Sequence, residues 1–223
     1  CIYEIDKSMK EHLNDAIYRQ SELKEYIEMW CHEVKTPVAT SQMIIENNLN
    51  PVNESIKEEL IKIDNYVEQV LFYARSENVE KDYLIKDVKL SELVNSVIKR
   101  NKKDLINKHV KIELENLEIA VASDKKWLEF ILNQIINNAI KYVDETPIIK
   151  LFAKQYKDRV ELMIKDNGIG ILENELNRVF DKGFTGTTGR TKQKSTGIGL
   201  YLCKKLCYRL NHEIKIYSNS HGT

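Results

Sequence analysis

An apolar residue recurs every three or four positions through the first third of the chain, and this repeat constrains the fold more than any other feature. It first runs from residue 13 to about residue 48 and then resumes after NNLNPVNE, residues 47–54, a turn signal rich in asparagine with one proline. Such spacing places one side of each helix in a coiled-coil seam and predicts a helical hairpin. The repeated positions, of which 20 and 41 are polar, are Leu13, Ile17, Gln20, Leu23, Ile27, Cys31, Val34, Val38, Ser41 and Ile45, then Ile56, Leu60, Ile63, Val67, Val70 and Ala74.

Two helices alone cannot enclose a hydrophobic core, so each apolar stripe needs further cover. A second copy of the same hairpin would supply it by forming a four-helix bundle. The repeat therefore predicts a homodimer.

The pattern changes character beyond Asp82. Strands mixed with helices in the order found there predict an α+β sandwich, in which a sheet is covered on one face. We expect two domains, a helical dimerisation domain over residues 1–80 and a mixed domain over residues 85–223. The expected elements of the second are a helix from Ser91, as N-cap, to Asn107, strands at 110–116 and 118–122, a helix capped by Ser123 or Asp124 and running to Val143, a hairpin of strands PIIKLFAKQY and RVELMIKD, a glycine-rich segment at 181–199, a helix at 198–210, and a strand EIKIYS.

Composition narrows the class of protein. The 34 basic residues equal the 34 acidic residues, which argues against a nucleic-acid binder that works by bulk electrostatics. No apolar run approaches the roughly 18 to 20 residues of a membrane span. The 4 cysteines are too scattered for a disulfide framework and fit a reducing compartment. Cys203 and Cys207, one helical turn apart, are expected in the core.

WCHEVKTP, residues 30–37, places a histidine within the helical repeat. At about 100° per residue, His32 points roughly 130° away from the centre of the seam, so we expect it to be exposed. A zinc site of the H-E-x-x-H type is excluded because Thr36 stands where the second histidine would be. A proline inside a helix lowers the stability of that helix by about 3 kcal/mol, so Pro37 is expected to bend the helix. The helical geometry alone does not distinguish a nucleophilic role for His32 from that of an ordinary surface residue.

Five short motifs, taken together, resemble those of sensor histidine kinases. HEVKTP is similar to the H-box of that family, and four motifs of its ATP-binding domain follow in the same order. The tryptophan before the H-box is similar to the bacitracin-sensing, intramembrane type. The likeness covers residues 20–220, and although DNGIG occurs in other ATPases of the superfamily, five motifs in order are highly specific. The four are FILNQIINNAIKY at 130–142, DNGIGI at 166–171, VFDKGFTG at 179–186 and STGIGL at 195–200.

The resemblance implies a fold and an activity. It implies a hairpin that forms a dimeric four-helix bundle, followed by an α/β-sandwich ATP-binding domain of the GHKL type. His32 would take a phosphoryl group from ATP and pass it to an aspartate of a response regulator. Glu33 would be the proton partner of His32. Thr36 occupies the position which in the family helps to dephosphorylate the regulator.

The resemblance also assigns a site for ATP and Mg²⁺. Asn138 would ligate the Mg²⁺ ion, Lys141 would contact phosphate, and Tyr142 would line the nucleotide pocket. Asp166 would accept a hydrogen bond from the exocyclic amine of adenine. The basic, glycine-rich segment 182–194 would act as a mobile lid, although such a loop by itself is more often a flexible surface loop. The remaining nucleotide-binding residues would be Gly168, Gly170, Phe184, Arg190, Lys194, Gly197, Gly199 and Leu200.

Two positions depart from the family pattern. Gln134 stands where an asparagine commonly precedes Asn138 by four residues, which puts its metal contact in doubt. Ser195 replaces the usual first glycine of the second glycine motif. The chain starts at Cys1 and stops at HGT, before a strand that the family normally adds, so we expect a piece of a longer protein.

The expected setting follows from the same resemblance. The chain would be the cytoplasmic portion of a membrane protein, with a cognate response regulator and, through a missing upstream part, a membrane transporter as partners, and with no nucleic acid. Two alternatives are a non-kinase ATPase of the same superfamily and a catalytically silent dimeric docking module.

Overall fold

The chain divides into two compact units, Cys1–Asp82 and Tyr83–Thr223. The computed structural model describes residues 2–46, 51–77, 83–143, 145–186, 196–218 and 222–223. Within these ranges, none of the helices has the length and apolar character needed to cross a membrane.

The first unit is the predicted helical hairpin. Helix α1 spans Ile2–Glu46 and helix α2 spans Pro51–Glu77. Proline is favoured in the first turn of a helix, because its missing N–H would have no helical partner there. The predicted turn at 47–54 was therefore too long, since residues 51–54 are helical, while residues 47–50 lie outside the described part.

The two helices are joined by a small apolar seam and by one ion pair. Cys31, only 1% exposed, packs with Val67 and Leu71, and its thiol donates to the Val67 carbonyl at 3.7 Å. Arg75 Nε of α2 lies 3.0 Å from a carboxylate oxygen of Glu28 of α1. These contacts fix which side of α1 faces α2.

Several residues that the repeat predicted to be buried are exposed in a single hairpin. Leu23 is 59% exposed and Ile63 is 42% exposed, and Ile56 and Val70 also lie in the exposed class. Exposure in one copy is what the need for a second copy as cover implies, so the burial of these positions stays a prediction. The physical reason for the exposure is that one helix covers only one side of its neighbour.

The second unit combines helices with two small sheets. Strands β1 (Lys86–Lys89) and β3 (Ala120–Ser123) pair antiparallel. In the other sheet β4 (Ile148–Gln155) lies in the middle, parallel to β2 (Lys111–Glu115) and antiparallel to β5 (Val160–Asp166). The helices are α3 (Leu90–Arg100), α4 (Lys102–Asn107), α5 (Lys125–Lys141), α6 (Glu173–Leu176) and α7 (Gly199–Arg209).

The predicted hairpin of strands is confirmed, and one face of it supplies the core. Ile149, Leu151 and Ala153 of β4 are buried at alternate positions, as expected when one face of a strand is covered. They pack in one cluster with the buried side chains of α3 and α5, such as Leu93 and Ile136. The α+β class is thus observed, with helices packed on the central strand.

The predicted helix 91–107 is two helices, α3 and α4, and its predicted N-cap is wrong. The helix begins at Leu90, so Ser91 lies within it, and Lys89 at the N-cap position makes no side-chain capping bond. The helix is interrupted at Asn101. The buried side-chain amide of Asn101 donates to the Val97 carbonyl and to the Asn133 side-chain oxygen, both at 2.8 Å. An asparagine that bonds its own backbone in this way competes with helix continuation.

The predicted strand EIKIYS is not observed. Residues 213–218 are described and are assigned to no strand. A strand forms only where its backbone can hydrogen-bond to a neighbouring strand. The sequence of the segment itself does not reveal whether such a neighbour is present.

Helix α5 is capped by Asp124, as predicted. One carboxylate oxygen accepts from the backbone N–H of Trp127 at 2.9 Å, and the other accepts from the N–H of Leu84 at 2.7 Å. The Tyr83 ring meets the Trp127 ring edge-on, with centroids 5.3 Å apart. Asp124 therefore fixes both the start of α5 and the segment that enters the second unit.

We expect Asp124→Ala to lower the free energy of unfolding by about 1 to 2 kcal/mol, because a helix cap of this kind is lost. The exposed Asp87 of β1 provides a matched control, and Asp87→Ala should change stability far less. Urea unfolding followed by circular dichroism measures both. Equal losses in the two variants would contradict the capping role.

Candidate functional site

His32 lies in the exposed class on α1, as the repeat predicted, while the preceding Cys31 is buried in the seam. The hydroxyl of Thr36 donates to the His32 carbonyl at 3.2 Å, and the Thr40 hydroxyl donates to the Thr36 carbonyl at 3.0 Å. These bonds run along one side of the helix. The imidazole is therefore presented to solvent from a helix that is regular around it.

Two glutamates lie near His32 along the helix, and they differ in their partners. Glu28, one turn earlier, is paired with Arg75 of α2. Glu33, the immediate neighbour of His32, is exposed. Pro37 has no N–H to offer the Glu33 carbonyl, yet α1 continues through it to Glu46. Glu33 is thus an exposed carboxylate next to His32 in sequence, whereas Glu28 is engaged with α2.

In the second unit the C-terminal end of α5 carries three predicted residues, Asn138, Lys141 and Tyr142, all of them half-buried. The Lys141 ammonium lies 5.3 Å from the centroid of the Tyr142 ring. Burial lowers the pKa of Lys141, and the positive charge of Lys108 lowers it further. A lysine in this environment would be stabilised by a bound anion, because an opposite charge favours the ammonium form.

Asp166 ends strand β5 and lies partly buried. Burial raises the pKa of its carboxyl, although the N–H of Gly168, which donates to Oδ1 at 2.8 Å, opposes this shift. The backbone N–H of Asp166 donates to the Thr223 carbonyl at 2.7 Å. A hydrogen-bonded carboxyl held away from water is suited to recognising a donor on a ligand.

The segment after Asp166 lies directly against the end of α5. The N–H of Ile169 donates to the Tyr142 carbonyl at 3.2 Å. A side chain at Gly168 would overlap that same carbonyl oxygen, and Gly170 has a φ of 68°. The structure therefore brings Tyr142, Asp166, Gly168 and Gly170 together, in an arrangement that requires glycine at both positions.

Sequence reasoning missed Gly222. A side chain there would overlap the carbonyl oxygen of Asp166, so the backbone near the end of the chain packs closely on the segment after β5. A glycine close to the end of the given sequence is a signal too weak to assign this contact.

The two flanks of segment 187–195 also meet. The N–H of Gly183 donates to the Gly197 carbonyl at 3.0 Å. Gly197 has a φ of 65°, and a side chain on it would lie 2.6 Å from the Phe184 carbonyl oxygen. The Arg178 guanidinium lies 4.7 Å from the centroid of the Phe184 ring. Residues 187–195 themselves, with the predicted Arg190 and Lys194 and the departure at Ser195, lie outside the described part of the chain.

Gln134 lies buried on α5 and reaches the start of α7. A side chain on Gly199 would lie 2.7 Å from the Gln134 amide oxygen. Gly199 and the half-buried Leu200 open α7, whose N-terminal N–H groups have no helical acceptor. The extra methylene of glutamine at this position is thus accommodated by a glycine on the facing helix.

The arrangement suits a polyphosphate ligand with a polar aromatic base. It offers a partly buried carboxyl for a donor on the base, glycine backbone for close approach, and cationic and helix-terminal groups for phosphate. Across the described ranges no group of three or more His, Cys, Asp and Glu side chains could hold a metal ion. Mg²⁺ typically takes one or two protein oxygens and completes its shell with substrate phosphates, so the amide oxygen of Asn138 fits this ion.

Comparisons with known proteins agree with this assignment. Residues 123–223 match the family described as histidine kinase-, DNA gyrase B-, and HSP90-like ATPase. The sensor histidine kinase YxdK of Bacillus subtilis strain 168 is 38% identical over 87% of this chain and 60% of its own length. The sensor protein BceS of the same strain is 34% identical over 93% of this chain and 64% of its own length. The chain thus spans about three fifths of these relatives.

Solved structures support the fold alone, because their sequence identity is low. Full-length ShkA in complex with AMPPNP matches with a TM-score of 0.66 at 20% identity, over 89% of this chain and 44% of that one. The histidine kinase AdeS of Acinetobacter baumannii matches with a TM-score of 0.61 at 22% identity, over 86% of this chain and 93% of that one.

The raised pKa of Asp166 predicts a pH-dependent gain in stability for Asp166→Asn. The folded-state pKa lies above the unfolded value, so the ionised carboxyl destabilises the fold once the pH rises through the folded pKa. Asparagine can still accept from Gly168 but carries no charge. Relative to the wild type, the variant should gain stability from about pH 4 to pH 7.5.

Chemical unfolding at the two pH values measures this difference. Asp158→Asn, in the exposed β4–β5 turn, is the control and should show little pH-dependent gain. A stability gap for Asp166→Asn that is the same at pH 4 and pH 7.5 would show that its burial does not disfavour the charge.

Proposed function

We propose that the chain belongs to the sensor histidine kinases, that residues 123–223 are its ATPase-type domain, and that it phosphorylates its own His32 with ATP. The phosphoryl group then passes to an aspartate of a response regulator. The relatives are named sensor histidine kinases and sensor proteins, which favours a kinase over a non-kinase ATPase or a silent docking module.

The observation that carries the nucleotide site is the junction between β5 and the end of α5. Asp166, Gly168 and Tyr142 are held together by backbone contacts, and the carboxyl of Asp166 is partly buried. We assign Asp166 to the exocyclic amine of adenine, a donor that guanine lacks at that position. Gly168 and Gly170 allow the base to approach the backbone, and Tyr142 lines the pocket.

The phosphates would lie between α5 and α7. Lys141, Arg190 and Lys194 are the proposed cationic contacts, with Phe184 in the segment 182–194. Gly197, Gly199 and Leu200 would open the helix end that faces the phosphates. Mg²⁺, when bound through Asn138, would neutralise charge on the phosphate oxygens.

The transfer step is a displacement at phosphorus. The lone pair of one imidazole nitrogen of His32 attacks the γ-phosphorus and forms a P–N bond, while the bond from that phosphorus to the β,γ-bridging oxygen breaks. ADP leaves with that electron pair. The imidazolium proton passes to Glu33, whose carboxylate is adjacent in sequence and exposed. Exposure of His32 on α1 supports this role, because the nucleophile must be reached by a nucleotide from outside the hairpin.

Thr36 is the proposed residue for removing the phosphoryl group from the regulator by hydrolysis, which releases inorganic phosphate. Its hydroxyl proton is directed to the His32 carbonyl, so its oxygen can accept a hydrogen bond from a water molecule that attacks the phosphoaspartate. On this proposal the protein would act both as a kinase and as a phosphatase.

We also infer that two hairpins pair as a four-helix bundle. The apolar residues Leu23, Ile56, Ile63 and Val70 occupy repeat positions yet are exposed in one copy. Their continuity with the seam between α1 and α2 favours a second copy of the same chain as the cover.

The setting of the whole protein is proposed from its relatives. These are named as sensors, and this chain spans about three fifths of their length. We propose that it is the cytoplasmic part of a membrane sensor whose remaining part faces a membrane transporter.

Incubation with γ-labelled ATP and Mg²⁺ tests the kinase assignment. The wild-type chain should acquire label that is lost in acid and kept in base, as expected of phosphohistidine. His32→Gln should lose the label but still bind ATP, because the histidine lies outside the nucleotide site. Asp166→Asn should lose ATP binding and label together.

The two variants control for one another. Label that persists in His32→Gln would place the phosphoacceptor elsewhere. Unchanged ATP affinity in Asp166→Asn would remove the proposed contact to adenine.

Sedimentation equilibrium tests the bundle. Ile63→Lys should convert a dimer to a monomer, because dimerisation would bury its charge, while the hairpin itself should stay helical since Ile63 is exposed in one copy. Met43→Lys, at an exposed position outside the repeat, is the matched control and should remain dimeric. Dissociation of both variants, or of neither, would contradict the proposed interface.

A further inference from the structure

Lys108 follows α4 and is held in a fixed place by the turn that ends that helix. Its backbone N–H donates to the Asp104 carbonyl at 3.0 Å, and the next two N–H groups donate to the carbonyls of Ile106 and Leu105. His109 takes a φ of 52°, the left-handed conformation that commonly ends a helix. The side chain of Lys108 therefore starts from a rigid point.

The ammonium of Lys108 reaches the end of another helix. It donates to the carbonyl of Ile140 at 2.7 Å, in the last turn of α5. The final carbonyls of a helix have no partner within it and carry partial negative charge, so a cation there is favourable. The side chain is half-buried, which reduces screening of this bond by water.

We propose that Lys108 is a positioning residue of the nucleotide site, which fixes the last turn of α5 and adds positive charge beside Lys141. The inference rests on the proposed function. Lys141 and Tyr142 follow Ile140 directly, so the bond to Ile140 holds the turn from which both project.

One hydrogen bond and one effect of charge connect this turn to the rest of the site. The Tyr142 carbonyl accepts from Ile169, in the segment after Asp166, so movement at the end of α5 would displace the proposed adenine and phosphate contacts together. The positive charge of Lys108 also lowers the pKa of Lys141, beyond the larger effect of burial. A bound polyphosphate would counteract this effect of charge.

Three variants of the whole chain test the inference. Lys108→Met removes the bond and the charge, Lys108→Arg keeps a cationic donor, and Lys102→Met removes an exposed lysine at the start of α4. Affinity for Mg–ATP is measured by calorimetry, and the ATP dependence of autophosphorylation gives KM and kcat.

Lys108→Met should bind Mg–ATP about tenfold more weakly, which corresponds to about 1.4 kcal/mol. Its KM for ATP should rise while kcat changes little. Lys108→Arg should restore most of the affinity, and Lys102→Met should match the wild type. If Lys108→Met does not fold, Lys108→Gln, which keeps an N–H donor without the charge, should bind about threefold more weakly than the wild type.

Wild-type affinity in Lys108→Met, or in Lys108→Gln where that variant takes its place, would overturn the inference and leave the proposed function intact. An equal loss of affinity in Lys108→Arg would also overturn it, since a cationic donor would then not suffice. A wild-type chain that fails to bind Mg–ATP would instead overturn the proposed function, and this inference with it.

Discussion

The second unit depends on the fixed position of helix α5. Asp124 caps its first turn, Asn133 joins it to the break between α3 and α4, and its apolar face packs in one cluster with the central strand β4. Its far end carries the residues assigned to metal and phosphate. Because these restraints act on one 17-residue helix, an error in its position would move all of the proposed ligand contacts on it at once.

Asp166 illustrates how a site can conflict with stability. Burial of the carboxyl disfavours its ionised form and raises its pKa, and backbone hydrogen bonds, of which that from Gly168 has the largest effect, only partly compensate. Binding a donor would supply the missing partner. The same reasoning applies to Lys141, whose burial and charged neighbour favour a bound anion. The site is thus better satisfied with a ligand than without one.

Much of the fold was accessible from local patterns. The hairpin of helices, the cap at Asp124, the antiparallel pair β4 and β5 and the exposure of His32 all follow from periodicity or from turn and cap residues. The break at Asn101 was missed, because one of the two bonds that hold its side chain goes to Asn133, 32 residues away. Leu23 and Ile63 are exposed in one copy, since the repeat indicates which face must be covered and not what covers it.

Residue spacing alone was enough to predict most of the helices and strands, although not the absence of a strand at 213–218, and to predict the exposed histidine on a helical seam. It was also enough to identify the ordered motifs that resemble those of the sensor histidine kinases. These features depend on the order of residues along the chain. Only the tertiary structure decided that the end of α5 meets Asp166 and Gly168, that Gln134 faces Gly199, and that Lys108 reaches Ile140. Such contacts join residues far apart in sequence, and their distances are set by the packing of helices on the sheet rather than by any local preference.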